Sequence, residues 1–342
     1  MEEASELSVD SAPEGCYLHT ELVVDAGQAA IRIDRFLAAR LENASRTFVQ
    51  RAIEAGWVQV NGTPVKASYN VKPGELIDVY QSGRQYDTKI EPEDIPLDIV
   101  HEDDDLLIVN KPAGMVVHPG HGHFHGTLVN ALLYYLKENP LFAEGGIRPG
   151  LAHRIDKDTS GLIAIGKSER TLRNLSSQFL SKSAHREYLA LAWGGFTTDE
   201  GTIEGNLGRD PSNRQRMKVF PDGSQGKPAI THWRVEERFC YLTLLRCELE
   251  TGRMHQIRAH MQWINHPLFG DARYGGDQII RGVETPEYRQ FAQRALAICP
   301  RQALHAEKLH LRHPASGQEM EFYAPPPADF SQLLDYWRGW KS

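Results

Sequence analysis

The sequence predicts an α+β protein in two unequal units, the larger built on a mixed or antiparallel central sheet. Three patterns carry that expectation. Apolar runs of strand length, such as 106–109 and 162–165, stand among amphipathic stretches of helical period. The two kinds of stretch do not alternate regularly, which disfavours a doubly wound sheet. Ahead of them, residues 25–86 carry two short helical periods and then strands broken at Asn61-Gly62 and Pro73-Gly74, enough for a small module. The expected division is a flexible acidic extension at 1–24, the module at 25–86 and a linker at 87–95. The large unit then spans 96–330 and a tail 331–342.

Within the module, Ile33, Phe36, Leu37 and Leu41 fall on one face of a first helix. Ser45 is placed to cap a second helix from Arg46, with Val49, Ala52 and Ile53 inward and Gly56 ending it. Asn61-Gly62 joins two short strands, and a further strand ends near Tyr80. Arg32, Arg35, Arg40, Arg46 and Arg51 gather on the helices, either as phosphate contacts or as ordinary solvated surface. In the large unit, strands at Leu97–Val100 and Leu106–Val109 flank an acidic turn. Thr127 caps a helix bearing Leu128, Ala131, Leu132 and Tyr135 at helical intervals. "HREYLALAWG" and "CYLTLLRCELE" read as strands, as do Leu309–Arg312 and Met320–Tyr323. Between them, "TGRMHQIRAHMQWIN" places Met254, Ile257, Met261 and Ile264 on one helical face, and His266-Pro267 ends that helix.

Bulk properties exclude several classes. With 41% hydrophobic and 24% charged residues over 342 positions, the composition is that of an ordinary globular chain. No apolar run is long enough to cross a bilayer, and the acidic start "MEEASELSVD" does not read as a signal peptide. Cys16, Cys240, Cys247 and Cys299 are scattered without disulfide-framework or zinc-ligand spacing, so a reducing cytoplasm is the expected compartment. The net charge of −7 argues against non-specific coating of nucleic acid. Local basic surface survives, because Glu2, Glu3, Glu6, Asp10 and Glu14 concentrate negative charge at the start.

The stretch "HRIDKDTSGLIAIGKS", residues 153–168, is a polar loop running into a buried strand. It holds Asp156 beside the core between Arg154 and Lys157, either as a loop-anchoring ion pair or as a functional carboxylate. His255, Arg258 and Gln262 lie away from the methionine stripe of their helix, behind Arg253, and can supply a cationic partner and phosphate contacts. Tyr188 sits within a strand, its ring packed and its hydroxyl free to meet a polar site. Residues 205–218 carry Arg209, Arg214, Arg216 and Lys218 against Asp210, and read as an exposed basic loop. The histidines of "HPGHGHFH", His118, His121, His123 and His125, lack the spacing of a helix-borne zinc pair. No Walker loop or dinucleotide fingerprint occurs either, so neither metal nor cofactor is expected.

"HRIDKDTSGLIAIGKS" closely resembles the signature of the RluA family of pseudouridine synthases. "HEDDDLLIVNKPAGMVVHPG", "REYLALAWG" and "TGRMHQIRAHMQWINHPLFGDARYG" resemble three further blocks of that family in order, and the likeness covers about residues 25–330. Residues 31–80, with "SRTFVQRAIEAGWVQVNG", resemble the S4 RNA-binding domain found ahead of the catalytic domain in ribosomal members. Met254 departs from the small polar residue usual at its position.

The resemblance implies a pseudouridine synthase domain behind an S4-like domain, with Asp156 as the essential carboxylate and Arg258 as its salt-bridge partner. It makes Arg154 the residue that enters the RNA stack and Tyr188 the aromatic that stacks on the everted uracil. The resemblance carries no role over to Lys157 or Arg253; they and His255, with Arg32, Arg35, Arg46 and Arg51 of the module and Arg209, Arg214, Arg216 and Lys218, are expected as contacts to RNA. The implied partner is structured RNA, foremost large-subunit ribosomal RNA, with tRNA and a non-catalytic assembly role as alternatives. A monomer without a membrane partner completes the expectation.

Overall fold

The structure, a computed structural model, describes residues 13, 16–41, 46–82, 90–120, 123–143 and 150–340. The chain divides into two compact units, Met1–Thr88 and Lys89–Ser342.

The first unit runs β1 (Cys16–Val23), β2 (Ile31–Arg32), α1 (Ile33–Arg40), α2 (Arg46–Glu54), β3 (Val58–Val60), β4 (Thr63–Pro64), β5 (Asn70–Val71) and β6 (Leu76–Ser82). Its main sheet has the order β1-β6-β3-β4. Asn61 and Gly62 both have positive φ, the backbone that a tight two-residue hairpin between β3 and β4 demands. Ile33, Phe36 and Leu37 of α1 close against Val49, Ala52 and Ile53 of α2 and against Val58 and Ile77, as the apolar spacing predicts. Ser45 lies outside the described residues. Cys16–Val23 corrects the expectation of a flexible segment through residue 24, since the strand pairs with β6 from Cys16↔Ser82 to Val23↔Leu76. An edge strand needs only backbone pairing, so its polar residues stay on the solvent side and hide the signal.

The helix arginines are also redistributed. Asp34 is fully buried and accepts hydrogen bonds from Arg32, Arg46 and Gln50, which hold its carboxyl far below the ordinary range against the cost of burial. Arg40 pairs with Asp25. Arg35 and Arg51 are exposed and carry no ion pair among the described residues.

The second unit begins with β7 (Ile99–Glu102), β8 (Leu106–Lys111), α3 (Leu128–Tyr135), α4 (Pro140–Ala143), β9 (Ser160–Gly166), α5 (Glu169–Ser181) and β10 (His185–Trp193). It continues with β11 (Glu200–Arg209), β12 (Met217–Phe220), β13 (Lys227–Arg238), β14 (Leu242–Leu249) and α6 (Gln256–Trp263). It ends with α7 (Pro286–Ile298), β15 (Leu304–Arg312), β16 (Glu319–Tyr323) and α8 (Ala328–Arg338). The sheet order is β12-β11-β13-β14-β10-β15-β9-β8-β7, with β16 beside β15. The β15–β9 pair is parallel and the other strand pairs are antiparallel, so the sheet is mixed. Both faces of β8 and β9 are covered: Leu107, Val109, Ile163 and Ile165 belong to the core cluster that includes Leu128, Val129 and Leu132 of α3, while Leu106, Ile108, Leu162 and Ala164 cluster with Leu175 of α5. Burial on two faces explains their unbroken apolar runs.

Four further expectations are corrected here. The strand expected at Leu97–Val100 forms at Ile99–Glu102. Residues 90–95 are not linker, because Glu93 N–H donates to the Asn130 carbonyl and Ile90 packs on the core. The tail from 331 is most of α8, whose Phe330, Leu333, Leu334 and Trp337 are buried with α7 on Leu189, Leu191 and Trp193. The basic stretch 205–218 is a hairpin, with Asn206–Arg209 paired to Met217–Phe220.

Buried histidines give this unit an acid-sensitive stability. Burial lowers His255 and His260 from 6.5 to about 4, lowers His153 to about 3, and also lowers His305. Below pH 6.5 the unfolded chain gains protons that the folded chain refuses, so stability falls as pH drops from 6.5 toward 4. Each ring removes up to about 1.4 kcal/mol per pH unit in that window. Urea midpoints at pH 7, 6 and 5 are expected to decrease in that order. Equal midpoints would show that these rings protonate freely in the folded protein.

Candidate active site

Residues 152–159 form the loop that feeds β9 through Gly161. At Gly161 φ is +118°, and a Cβ would stand 2.2 Å from the Ala306 carbonyl oxygen. Only glycine lets the loop leave the β9–β15 junction this closely. The loop is tied down through its own carbonyls. Lys111, at the end of β8, is fully buried and donates to the carbonyls of Pro112, Met115 and Lys157 at 2.6, 2.8 and 3.0 Å. Burial brings its ammonium down to about 7, opposed by Asp158 and Asp156 nearby. Arg301, clamped on Asp329 at 2.7 and 2.9 Å, donates to the Asp158 carbonyl at 3.0 Å. Gln302 donates to the Thr159 hydroxyl.

On this fixed loop Asp156 is only partly covered, its side chain 18% exposed. Its Oδ2 accepts from Arg258 Nη1 at 2.8 Å. The other edge of that guanidinium donates from Nε and Nη2 to Asp271 at 2.7 and 2.9 Å. Asp271 is itself fully buried and accepts from the Arg273 and Tyr274 amides. Two carboxylates raise the Arg258 pKa above its already high value, so the cation is permanent. The pairing makes an ordered row of acid, guanidinium and acid in which Asp156 is the carboxylate that reaches a cavity, while Asp271 stays behind Arg258. His255, the left-handed N-cap of α6, stands 3.9 Å from Asp156 by Nε2 and 3.1 Å from the Tyr274 hydroxyl by Nδ1. Tyr274 Oη also accepts from the Met217 amide, which ties this hydroxyl, and with it the His255 ring, to β12.

The cavity is lined by Arg154, Asp156, Tyr188, Arg253, His255 and Arg258, with Arg186 and Gly252 at its wall. It therefore gathers most of the residues that sequence reasoning placed around Asp156. Tyr188 is almost wholly buried on β10, and burial raises its phenol. Arg154 is exposed at the rim, and Lys157 is exposed but outside the cavity lining. Arg253 donates to the Pro228 carbonyl at 3.2 Å. His255, expected as a surface RNA contact, is instead largely buried beside the carboxylate, because α6 starts at Gln256 and turns that ring inward. The helix is not amphipathic as expected. Gln256, Arg258 and His260 are as buried as Ile257 and Met261, each polar group meeting an internal partner such as Thr231 or Asp271. Arg209, Arg214 and Lys218 are exposed on the hairpin, whereas Arg216 leans over the Tyr274 ring at 5.7 Å. These four, like Arg32, Arg35, Arg46 and Arg51 of the first unit, do not line the cavity. Among the described residues no group of three or more His, Cys, Asp or Glu is arranged to hold a metal ion, and His121 lies outside them.

Asp271, Lys111, Arg301 and Arg186 were not anticipated. Arg186 had a usable signal, since it stands two positions before Tyr188 and so shares its face of the strand.

Residues 105–263 match the family model described as RNA pseudouridylate synthase, and residues 31–77 match the S4 domain. An RNA pseudouridine synthase of Chlorobaculum parvum is 43% identical over 92% of this chain and 96% of its own length. The ribosomal large subunit pseudouridine synthase D of Haemophilus ducreyi is 43% identical over 91% of this chain and 92% of its own length. This chain belongs to the RluA family of RNA pseudouridine synthases. The Escherichia coli protein named ribosomal large subunit pseudouridine synthase D is 41% identical over 92% of this chain and 93% of its own. Human RNA pseudouridylate synthase domain containing 4 shares the fold, with a TM-score of 0.52 at 22% identity over 70% of this chain and 92% of that one. The synthase assignment makes the chain an enzyme that isomerises uridine in RNA, on an α+β catalytic domain preceded by an S4 domain.

Proposed function

We propose that this synthase converts uridine to pseudouridine in large-subunit ribosomal RNA, with Asp156 acting on the ribose of an everted nucleotide. The observation that carries it is the row Asp271–Arg258–Asp156, which presents one carboxylate at a cavity and buries everything that steadies it. The reaction is an isomerisation: the N1–C1′ bond breaks, the uracil turns, C5 bonds to C1′, and the proton lost from C5 is balanced by one gained at N1. Asp156 serves it either by attacking C1′ or by taking a proton from C2′. Tyr188 supplies a wall on which the turning base stacks, and Arg154 at the rim replaces the base in the helix it leaves. The names of relatives such as the Haemophilus ducreyi and Escherichia coli proteins support ribosomal RNA as the target. Exposed Arg35 and Arg51 on the S4 unit, and Arg209, Arg214 and Lys218 on the hairpin, offer further phosphate contacts.

The test is a pseudouridine map of ribosomal RNA and tRNA from cells lacking the gene, complemented by wild-type protein or by Asp156→Ala. One or more 23S positions should lose the modification and regain it with the wild type alone. A missing position in tRNA only would move the target, and an unchanged map would overturn the proposal.

A further inference from the structure

Three basic side chains of the catalytic unit are buried: Lys111, Arg186 and Arg258. Lys111 has three carbonyl acceptors and Arg258 two carboxylates. Arg186, 8% exposed, has none among the described residues; its Nε is sealed from solvent without a hydrogen-bond partner. The guanidinium lies over the Phe179 ring at 5.2 Å and lines the same cavity as Asp156 and Tyr188. Desolvating a cation and leaving it unpaired is costly, and folding tolerates it where a ligand completes the pairing.

The space in front of Arg186 is kept open by a glycine. A Cβ on Gly252 would stand 2.8 Å from Arg186 Nη1, so the guanidinium occupies room that any side chain at 252 would take. Strand alternation puts Arg186 and Tyr188 on one face of β10, and both side chains line the cavity. A nucleotide whose base rests on Tyr188 brings one kind of anion to that cavity, its backbone phosphate, and a planar fork of donors suits phosphate oxygens.

We propose that Arg186 is the phosphate-binding residue for the everted nucleotide, seating the phosphate on one side of the target uridine. This rests on the pseudouridine synthase reading of the cavity. It adds a contact inside the pocket to Arg154 at the rim.

The experiment uses full-length enzyme and a short RNA spanning a mapped target uridine, made with a single neutral methylphosphonate at its 5′ or its 3′ phosphate. Conversion of the unsubstituted RNA by the wild type is scored first, and its absence would bring down the cavity reading together with this one. With the wild type, one of the two methylphosphonates should lower kcat/KM by about 10- to 100-fold, the loss of one charge-assisted pair. Arg186→Gln should lose a similar factor on the all-phosphate RNA and become indifferent to that methylphosphonate. Gly252→Ala, which displaces the guanidinium without deleting it, should shift both quantities the same way by less. It also decides the matter if Arg186→Gln fails to fold. Undiminished sensitivity to the methylphosphonate in folded variants, or full activity of Arg186→Gln, would overturn the assignment and reduce Arg186 to packing on Phe179.

Discussion

Asp156→Asn is expected to lower turnover by about 10⁴-fold or more while leaving RNA affinity within about threefold of the wild type. The substitution is nearly isosteric, and the asparagine oxygen can still accept from Arg258 Nη1, now 2.8 Å from the carboxylate. Neither the loop nor α6 has reason to move. Asp271 and Arg258 remain a neutral buried pair, so thermal stability should hold or rise slightly. What is lost is the nucleophilic or basic oxygen, and an amide replaces it in neither role. The measurement is tritium release from C5-labelled transcript at saturating enzyme, paired with filter binding of the same RNA. Retention of more than about one hundredth of the wild-type rate would remove Asp156 from the chemistry, whichever ribose atom is attacked. Loss of binding in step with loss of turnover would make it an RNA contact.

Much of the framework around that carboxylate was legible in the sequence because local rules dominate there. Asn61-Gly62 specifies its hairpin by backbone conformation alone, and Thr127 caps α3 as its position before an apolar period implies. The unbroken run of β9 follows from burial on both faces. Elements whose stability is contributed by a distant partner were the ones missed. The strand Cys16–Val23 is an edge held by β6, and its register slips between Leu18 and Thr20, so its alternation is broken where a reader would look for it. Helix α8 follows a proline run that resembles the end of a domain, yet it buries Trp337 against Trp193 and Phe269.

At the site the division is similar. The loop bearing Asp156 announced itself as charge set against an apolar strand. Its pairing with Arg258 spans 102 residues of sequence and no local spacing contains it; the family resemblance supplied that expectation. Asp271 was invisible for a further reason. In "FGDARYG" it looks like a turn residue, and its amide acceptors do make it one, but the same carboxylate also turns inward to hold a guanidinium. Polar residues on α6 read as one face opposite the methionine stripe because periodicity cannot distinguish an outer surface from internal hydrogen-bond partners.

That hidden acid leads to the second large effect. Asp271→Asn is expected to lower kcat by about 10- to 100-fold with KM little changed, the magnitude typical of an outer partner that orients a functional group. Arg258 now offers Nε and Nη2 to two carboxylate oxygens, which fixes the plane of the guanidinium and leaves Nη1 for Asp156. An asparagine accepts one of those bonds and opposes the other with its own N–H groups, so the plane is free to tilt and Asp156 loses its fixed direction. Arg258→Lys should be at least as damaging, because a single ammonium cannot serve both carboxylates in the fork geometry and leaves one of two neighbouring acids unpaired. Single-turnover rates on the mapped substrate, taken across enzyme concentration, separate the two parameters. A raised KM with unchanged kcat in Asp271→Asn would mean that the acid shapes the RNA surface and not the carboxylate. If both variants turned over at the wild-type rate, the row Asp271–Arg258–Asp156 would be a folding device alone, and the positioning of Asp156 would have to come from the carbonyl clamps of Lys111 and Arg301.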